Sequence, residues 1–449
     1  MSGLRDVVLV AVLVGLVPAS LFRPWVGVLG WFWIAYMVPH SLTWGFGRTL
    51  PLAAMVGGAT LLGFFFSRDR KPLPRSWSVF FLLAFAGEIV ASTVVGYDPA
   101  LSLGKLDWVG KGLLMTFVTM CLFQDRTRLR YLYLVPAASL GFHGLKSGLW
   151  VIRTGGGSLL WGPNSSFFAD NNTFGLALCM SLPLILYLAR EEPRLWVKGV
   201  LYITFGFTVL AIPFTYSRGA FIGLLVVVGI LVWRSPRRLQ FTLAVVLAAF
   251  MLAPLAPERL HKRMESILAQ DSAETRDNSA AGRLEAWETA WNIAVTHPFF
   301  GEGFRVLWND AVWDRFYGQT YLAARDAHSL YFEVLAEHGL LGFAIYLGIL
   351  LSTLWSLRCI RKRWRGHPEH GYLSHYAEMT QLALYPYLVA GAFLGVAYFD
   401  LYFLLVGTTA VLHTLSLQAE TASTAPPPPT ELMVSSSRHL ETRQKRRSR

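Results

Sequence analysis

Long apolar runs separated by short polar connectors fill most of the chain, near residues 6–22, 25–38, 50–66, 77–92, 107–123, 131–152, 173–189, 199–216, 219–233, 240–256, 331–357, 381–398 and 401–417. A straight helix needs roughly 20 apolar residues to cross a bilayer core, and several runs are shorter, so their ends are soft. The pattern predicts an all-α polytopic membrane protein with about 12 or 13 transmembrane helices. One long polar interval, Pro257 to Arg325, breaks the frame and leads to Asp326, Ala327, His328 and Ser329, where the chain re-enters an apolar run.

Basic residues collect in alternate connectors. Arg68, Arg70, Lys71 and Arg75 form one cluster, followed by Arg126, Arg128 and Arg130, then Arg190, Arg194 and Lys198, then Arg234, Arg237 and Arg238, and last Arg358, Arg361, Lys362, Arg363 and Arg365. Short cytoplasmic loops carry such an excess, so these connectors are expected inside and the long polar interval outside. The interval 153–172 and the turn at Arg218 then also face outward. One end of this count does not close: two full spans before Arg68 put the N-terminus outside, whereas Arg5 favours inside. A half-span or re-entrant piece at 25–38 is the alternative. The first apolar run has no small-residue cleavage pattern after it and reads as a retained span rather than a signal peptide.

Composition agrees with this class, with 54% hydrophobic residues, 15% charged and a mean hydropathy of +0.42. The net charge of +12 is spread over membrane connectors, which argues against a nucleic-acid partner. Cys121, Cys179 and Cys359 lie in or at the ends of apolar runs and read as packing residues, with neither a disulfide framework nor metal-ligand spacing. Residues 1–417 are read as one polytopic domain that includes an extracytoplasmic loop at 257–329. Residues 418–449, with Pro426 to Pro429 and a basic end, read as a disordered cytoplasmic tail able to touch anionic lipid.

Charge at a span boundary is expensive and needs a reason. Arg218 lies in a Ser-Arg-Gly-Ala turn between two apolar runs, and a guanidinium there suits a bidentate grip on phosphate as well as an interfacial lipid contact. Arg283 opens a segment in which Trp287, Ala290, Trp291 and Ala294 follow at helical spacing, and Glu285 or Glu288 is an alternative partner for it. His328 stands at a helix entrance, where capping or packing is the simpler role. An imidazole on the same side as two arginines can also take a proton from a hydroxyl nucleophile. Asp170, Asn171 and Asn172 are placed to cap the following helix. Lys105, Lys111 and Lys146 can add positive potential, with snorkelling as the default.

These residues, in this order, resemble the O-antigen ligase and polymerase superfamily. Within it the chain looks most like the O-glycosylation ligases that accompany exosortase A protein-sorting systems. The resemblance covers about residues 5–400 and rests on Pro39 and His40 with Leu42 to Phe46; Trp161, Gly162 and Pro163 with Asp170 to Asn172; Tyr216 to Ala220; Gly282 and Arg283 with Trp287; His297 and Pro298 with Gly301, Gly303 and Phe304; and Ala327, His328 and Ser329 with Glu337, Gly339 and Gly342. Ser329, where many members have asparagine, and Ile222, where a common ligase motif has leucine, depart from the pattern.

The resemblance implies transfer of a glycan from undecaprenyl diphosphate to an acceptor hydroxyl, most simply protein O-glycosylation, at the periplasmic face of a bacterial inner membrane. It implies His328 as catalytic base and Arg218 and Arg283 as the grip on the donor diphosphate. Asp326 or Glu337 would orient the imidazole, and Asp170, Asn171 and Lys146 would support the site. The chemistry would be inverting and independent of metal or other cofactor. Partners would be the lipid-linked donor, a protein or lipid acceptor and membrane lipids. A repeat-unit polymerase of the same superfamily, and a polytopic transporter, are the alternatives; a transporter would spread its charges along a path, whereas these gather on one side.

Overall fold

The computed structural model describes residues 2–69, 71–240, 242–243, 246–247, 278–318 and 326–424. The predicted span at 240–256, the loop residues 257–277 and 319–325, and the tail from 425 fall wholly or largely outside the described residues. The described residues are helical with short 3-10 turns and no strand. The helices are α1 (Ser2–Phe22), α2 (Pro24–Met37), α3 (Leu52–Phe66), α4 (Trp77–Val95), α5 (Pro99–Leu122), α6 (Arg126–Thr154), α7 (Asn171–Glu191), α8 (Leu195–Ala211), α9 (Arg218–Arg234), α10 (Asn278–Thr296), α11 (Asp310–Phe316), α12 (Leu330–Arg363), α13 (Gly371–Ala390) and α14 (Asp400–Thr424).

Every predicted apolar run with described residues throughout corresponds to one of these helices, and the all-α polytopic class holds. Six of them, α1, α4, α7, α8, α12 and α14, are long and apolar enough to cross a membrane, and α2 and α3 are shorter apolar helices. Polar residues at the connector ends start several of them: Ser76, Asp98, Asp125 and Ser217 each accept a hydrogen bond from a backbone N–H in the first turn. α7 is central, with 89% of its most apolar stretch buried, against 22% for α1 at the periphery.

Small residues set the approach of neighbouring helices, as expected where apolar lipid offers no drive to associate. Gly27 of α2 abuts Ser20 of α1 and Thr60 of α3, and Gly30 abuts Leu16, so α2 returns antiparallel to α1. This segment is one helix from Pro24 to Met37, ended by the left-handed Val38 and shorter than a full span, and α1 begins at the same end of the bundle as the 38–51 connector. Arg5 does not decide this end, because its guanidinium is used locally: Nη1 donates to Leu42 O at 3.1 Å and the group lies 5.7 Å from the Trp44 ring centre.

Two departures from regular helix shape the end of the bundle that carries Arg218. The apolar run predicted at 381–398 is helix only to Ala390; residues 391–399 form a buried turn before α14. Non-helical backbone is tolerated at such a place only if its polar groups are paired. Here Glu333 Oε2 accepts from Ala397 N at 3.0 Å, Tyr387 Oη donates to Val396 O at 2.9 Å, and Tyr346 Oη donates to Ala397 O at 2.9 Å.

The second departure lies inside α12, at Gly339, whose φ of +66° and ψ of −169° are open essentially to glycine alone. The break exposes backbone groups, and the segment His297 to Gly303 repairs it. Glu302 N donates to Ala336 O at 3.2 Å, Gly303 N donates to Glu337 O at 3.0 Å, and Leu341 N donates to Pro298 O at 2.9 Å. The His-Pro and Gly-x-Gly spacing of the sequence is thus a plug fitted to a helix break. α10 leads into that plug and packs on α12 through Ala286, Ala290 and Ile293. Trp291 is exposed while Ala290 and Ala294 are buried, because close approach to α12 selects the small side chains.

Candidate functional site

Arg218 is the first residue of α9. Ser217 before it accepts from Ala220 N at 3.2 Å, and Tyr216 takes a left-handed φ of +53° while its hydroxyl donates to Gly156 O at 2.8 Å. The turn is also tied to α7, since Asn171 Nδ2 donates to Thr215 O at 2.9 Å. Asp170 caps α7, accepting from Asn172 N at 2.9 Å and Thr173 N at 3.1 Å. Asp170 therefore acts on the helix start, and Asn171 on the turn that presents Arg218.

His328 sits just before α12 with φ +44°, another left-handed residue, and its side chain is 51% exposed. Such a conformation costs a non-glycine residue about 1 kcal/mol or more and persists only where the surroundings impose it. The surroundings are specific. Asp326 Oδ1 accepts from His328 N at 3.3 Å, and Asp326 Oδ2 lies 3.6 Å from His328 Nδ1. Trp287 Nε1 donates to Ala327 O at 2.8 Å, and its ring stacks on Phe332 at 4.9 Å between centres. Arg283 precedes Trp287 by one helical turn on the same face of α10, which directs it toward the His328 segment.

The 391–399 turn lies between two of these groups. Gly219, beside Arg218, faces Ala390 O and Leu394, while a side-chain carbon on Gly395 would come within 2.7 Å of Asp326 Oδ1. Arg218 at the start of α9 and Asp326 with His328 before α12 thus flank one short turn at one end of the bundle, while Arg283 on α10 lies one helical turn before Trp287, which bonds the His328 segment. Of the two carboxylates considered for the imidazole, Asp326 is beside it. Glu337 faces elsewhere: it accepts from Arg305 N at 2.7 Å and from the Tyr398 hydroxyl.

Glu337 belongs to a buried chain of hydrogen bonds that sequence reasoning missed. Ser92 Oγ is 2.7 Å from His338 Nδ1, His338 Nε2 is 2.7 Å from Tyr398 Oη, and Tyr398 reaches Glu337. Lys105 Nζ lies 5.1 Å from the centre of the Tyr398 ring. The available signal was the polar pair Glu337–His338 inside an otherwise apolar run.

Lys146 is placed differently from the other candidates. It lines a cavity of about 860 Å³ together with His40, Arg48, Arg153 and Trp161. This cavity is open and basic, and it unites the Pro39–His40 and Trp161–Gly162–Pro163 segments. Burial holds the His40 imidazole below its ordinary pKa, which favours the neutral ring. Among the described residues no group of three or more His, Cys, Asp or Glu side chains converges to hold a metal ion.

Comparison with known proteins divides the chain in two. Residues 4–204 match a family of unknown function (DUF5935), and no curated protein matches the chain. Residues 203–347 match the family described as O-antigen ligase, a segment that encloses Arg218, Arg283, His328 and Glu337. Over that segment, and not over the whole chain, this all-α polytopic membrane protein is similar to the O-antigen ligase family.

Proposed function

We propose that the protein is a membrane glycosyltransferase that moves a glycan from undecaprenyl diphosphate to an acceptor hydroxyl, in protein O-glycosylation of the exosortase-associated kind. The observation that carries this reading is the exposed His328 imidazole beside Asp326, set on the same end of the bundle as Arg218 and Arg283. The O-antigen ligase match over the same segment supports it.

In this reading the imidazole of His328 removes the proton from the acceptor oxygen as that oxygen attacks the anomeric carbon. Asp326, with Oδ2 3.6 Å from Nδ1, orients the ring. The bond from the anomeric carbon to the donor's phosphate oxygen breaks, and Arg218 and Arg283 neutralise the charge that grows on the departing diphosphate. Attack opposite the leaving group inverts the anomeric centre. Fixed guanidinium charge would take the part a divalent cation plays elsewhere, so transfer is expected to survive chelation. The donor would enter from a bacterial inner membrane with the site on the periplasmic face, the orientation that the basic connectors favour.

The deciding experiment is mass spectrometry of lipid-linked glycans in cells with and without the gene. A ligase predicts build-up of lipid-linked glycan on the outer face and loss of the glycoconjugate. Single repeat units on the acceptor would favour polymerisation, and donor trapped on the cytoplasmic face would favour transport. Full-length glycan still joined to its acceptor, with no second gene copy, would overturn the proposal.

Arg218→Lys and Arg283→Lys test the diphosphate grip. Each keeps the charge but loses the planar fork, so each is expected to lower transfer by about tenfold or more at unchanged protein abundance. Near-normal rates in both would reduce the arginines to a general positive potential.

A further inference from the structure

The opposite end of the bundle holds a second basic cavity, remote from His328. α9 runs from Arg218 to Arg234, so the two ends are separated by its whole length, about 26 Å. At the Arg234 end a cavity of about 790 Å³ opens among α9, α12 and α13, and Arg234, Arg361, Arg365 and Glu378 line it with Trp233 and Tyr385. Three arginines against one carboxylate leave an excess of two positive charges. Glu378 is committed to Arg234, whose Nη1 donates to Oε1 at 2.6 Å. Arg361 Nε is buried and has no hydrogen-bond partner among the described residues. A buried guanidinium donor without an acceptor is costly, and an anion supplied from outside would satisfy it.

A second cavity of about 670 Å³ shares Arg234 and Glu378 with the first and runs between α7, α8 and α9. Its wall is largely apolar, formed by Leu186, Phe205, Val209, Val228 and Leu231. Cationic pocket and apolar cleft are thus joined at one ion pair. Trp233 beside them is 76% exposed, as suits a side chain at a lipid headgroup boundary.

We propose that this paired cavity binds an anionic phospholipid, its phosphate against Arg361 and Arg365 and one acyl chain in the cleft between α8 and α9. Free phosphate does not fit equally well, because it would leave the adjoining apolar cleft without an occupant. Basic pockets between membrane helices bind acidic headgroups by this same combination of charge and chain burial. The site is independent of the glycan-transfer reading.

Native mass spectrometry of the purified full chain tests it, with dioleoyl phosphatidylglycerol and dioleoyl phosphatidylcholine added in turn. Retention of phosphatidylglycerol is expected to exceed that of phosphatidylcholine by about tenfold. The double variant Arg361→Gln, Arg365→Gln should bring the ratio close to unity. Val228→Trp, which fills the cleft, should lower retention of both lipids. Glu378→Gln removes the competing carboxylate and should raise phosphatidylglycerol retention, so the charge argument is tested even if the arginine variant fails to fold. Equal retention of the two lipids by the natural protein, an unchanged ratio in the well-folded double variant, or displacement of the lipid by inorganic phosphate would overturn the proposal.

Discussion

Replacing His328 by alanine is expected to abolish glycan transfer while membrane insertion and abundance stay normal. The side chain is half exposed, so its removal opens no cavity of consequence. Loss of a general base costs about 10²- to 10⁴-fold, which in a cellular assay reads as no product. His328→Gln should be no better, since an amide offers hydrogen bonds but does not accept the proton at neutral pH. Asp326→Asn gives a graded companion: the imidazole remains, but the carboxylate 3.6 Å from Nδ1 is gone, so the expected loss is smaller. Rates are to be measured by glycan transfer in reconstituted vesicles, alongside quantified protein. Full activity of the alanine variant at normal abundance would remove His328 from the chemistry.

Gly339→Ala is expected to damage both the fold and the activity. An alanine there would adopt φ +66° against its preference, and its methyl carbon would meet His297 O at 2.6 Å and Pro298 O at 2.8 Å. The plug must then move, and with it go the hydrogen bonds to Ala336 O and Glu337 O that close the broken helix. Strain and unpaired buried backbone together place the cost at about 3 kcal/mol or more. Thermal unfolding in detergent should show a clear drop in midpoint. Transfer should fall with it, because α10, which carries Arg283, is held to α12 through the same segment. Gly371→Ala, at a site where nothing lies within 4 Å, is the control that should leave both unchanged. A Gly339→Ala protein as stable and active as the parent would show that the plug tolerates displacement.

The helical frame was legible in the sequence because apolar runs and polar caps are local signals. Arg218 and His328 were noticeable for the same reason, being polar residues at the ends of such runs. What they touch was not legible. Asp326 is two residues from His328, and sequence could offer it only as one of two carboxylates; the other, Glu337, proves to face Tyr398 across 61 positions. The chain Ser92–His338–Tyr398 joins residues 246 and 60 positions apart, and no periodicity reveals such a pairing. The turn at 391–399 was hidden by its own composition. It is apolar enough to read as helix, and only the side chains of Glu333, Tyr346 and Tyr387 make its irregular backbone tolerable.

The break in α12 also divides labour along one helix. Residues 340–363 rise about 36 Å, enough to cross a bilayer core of roughly 30 Å without help from the residues before them. The portion from Leu330 to His338 is then free of any duty to span hydrocarbon and can stand as a pedestal beyond it. Glu333, Glu337 and His338 lie on that pedestal, and His328 is seated at its top. On the proposed reading, Gly339 would thereby set the height of His328 above the lipid, within reach of an acceptor in water and a donor whose chain stays in the membrane.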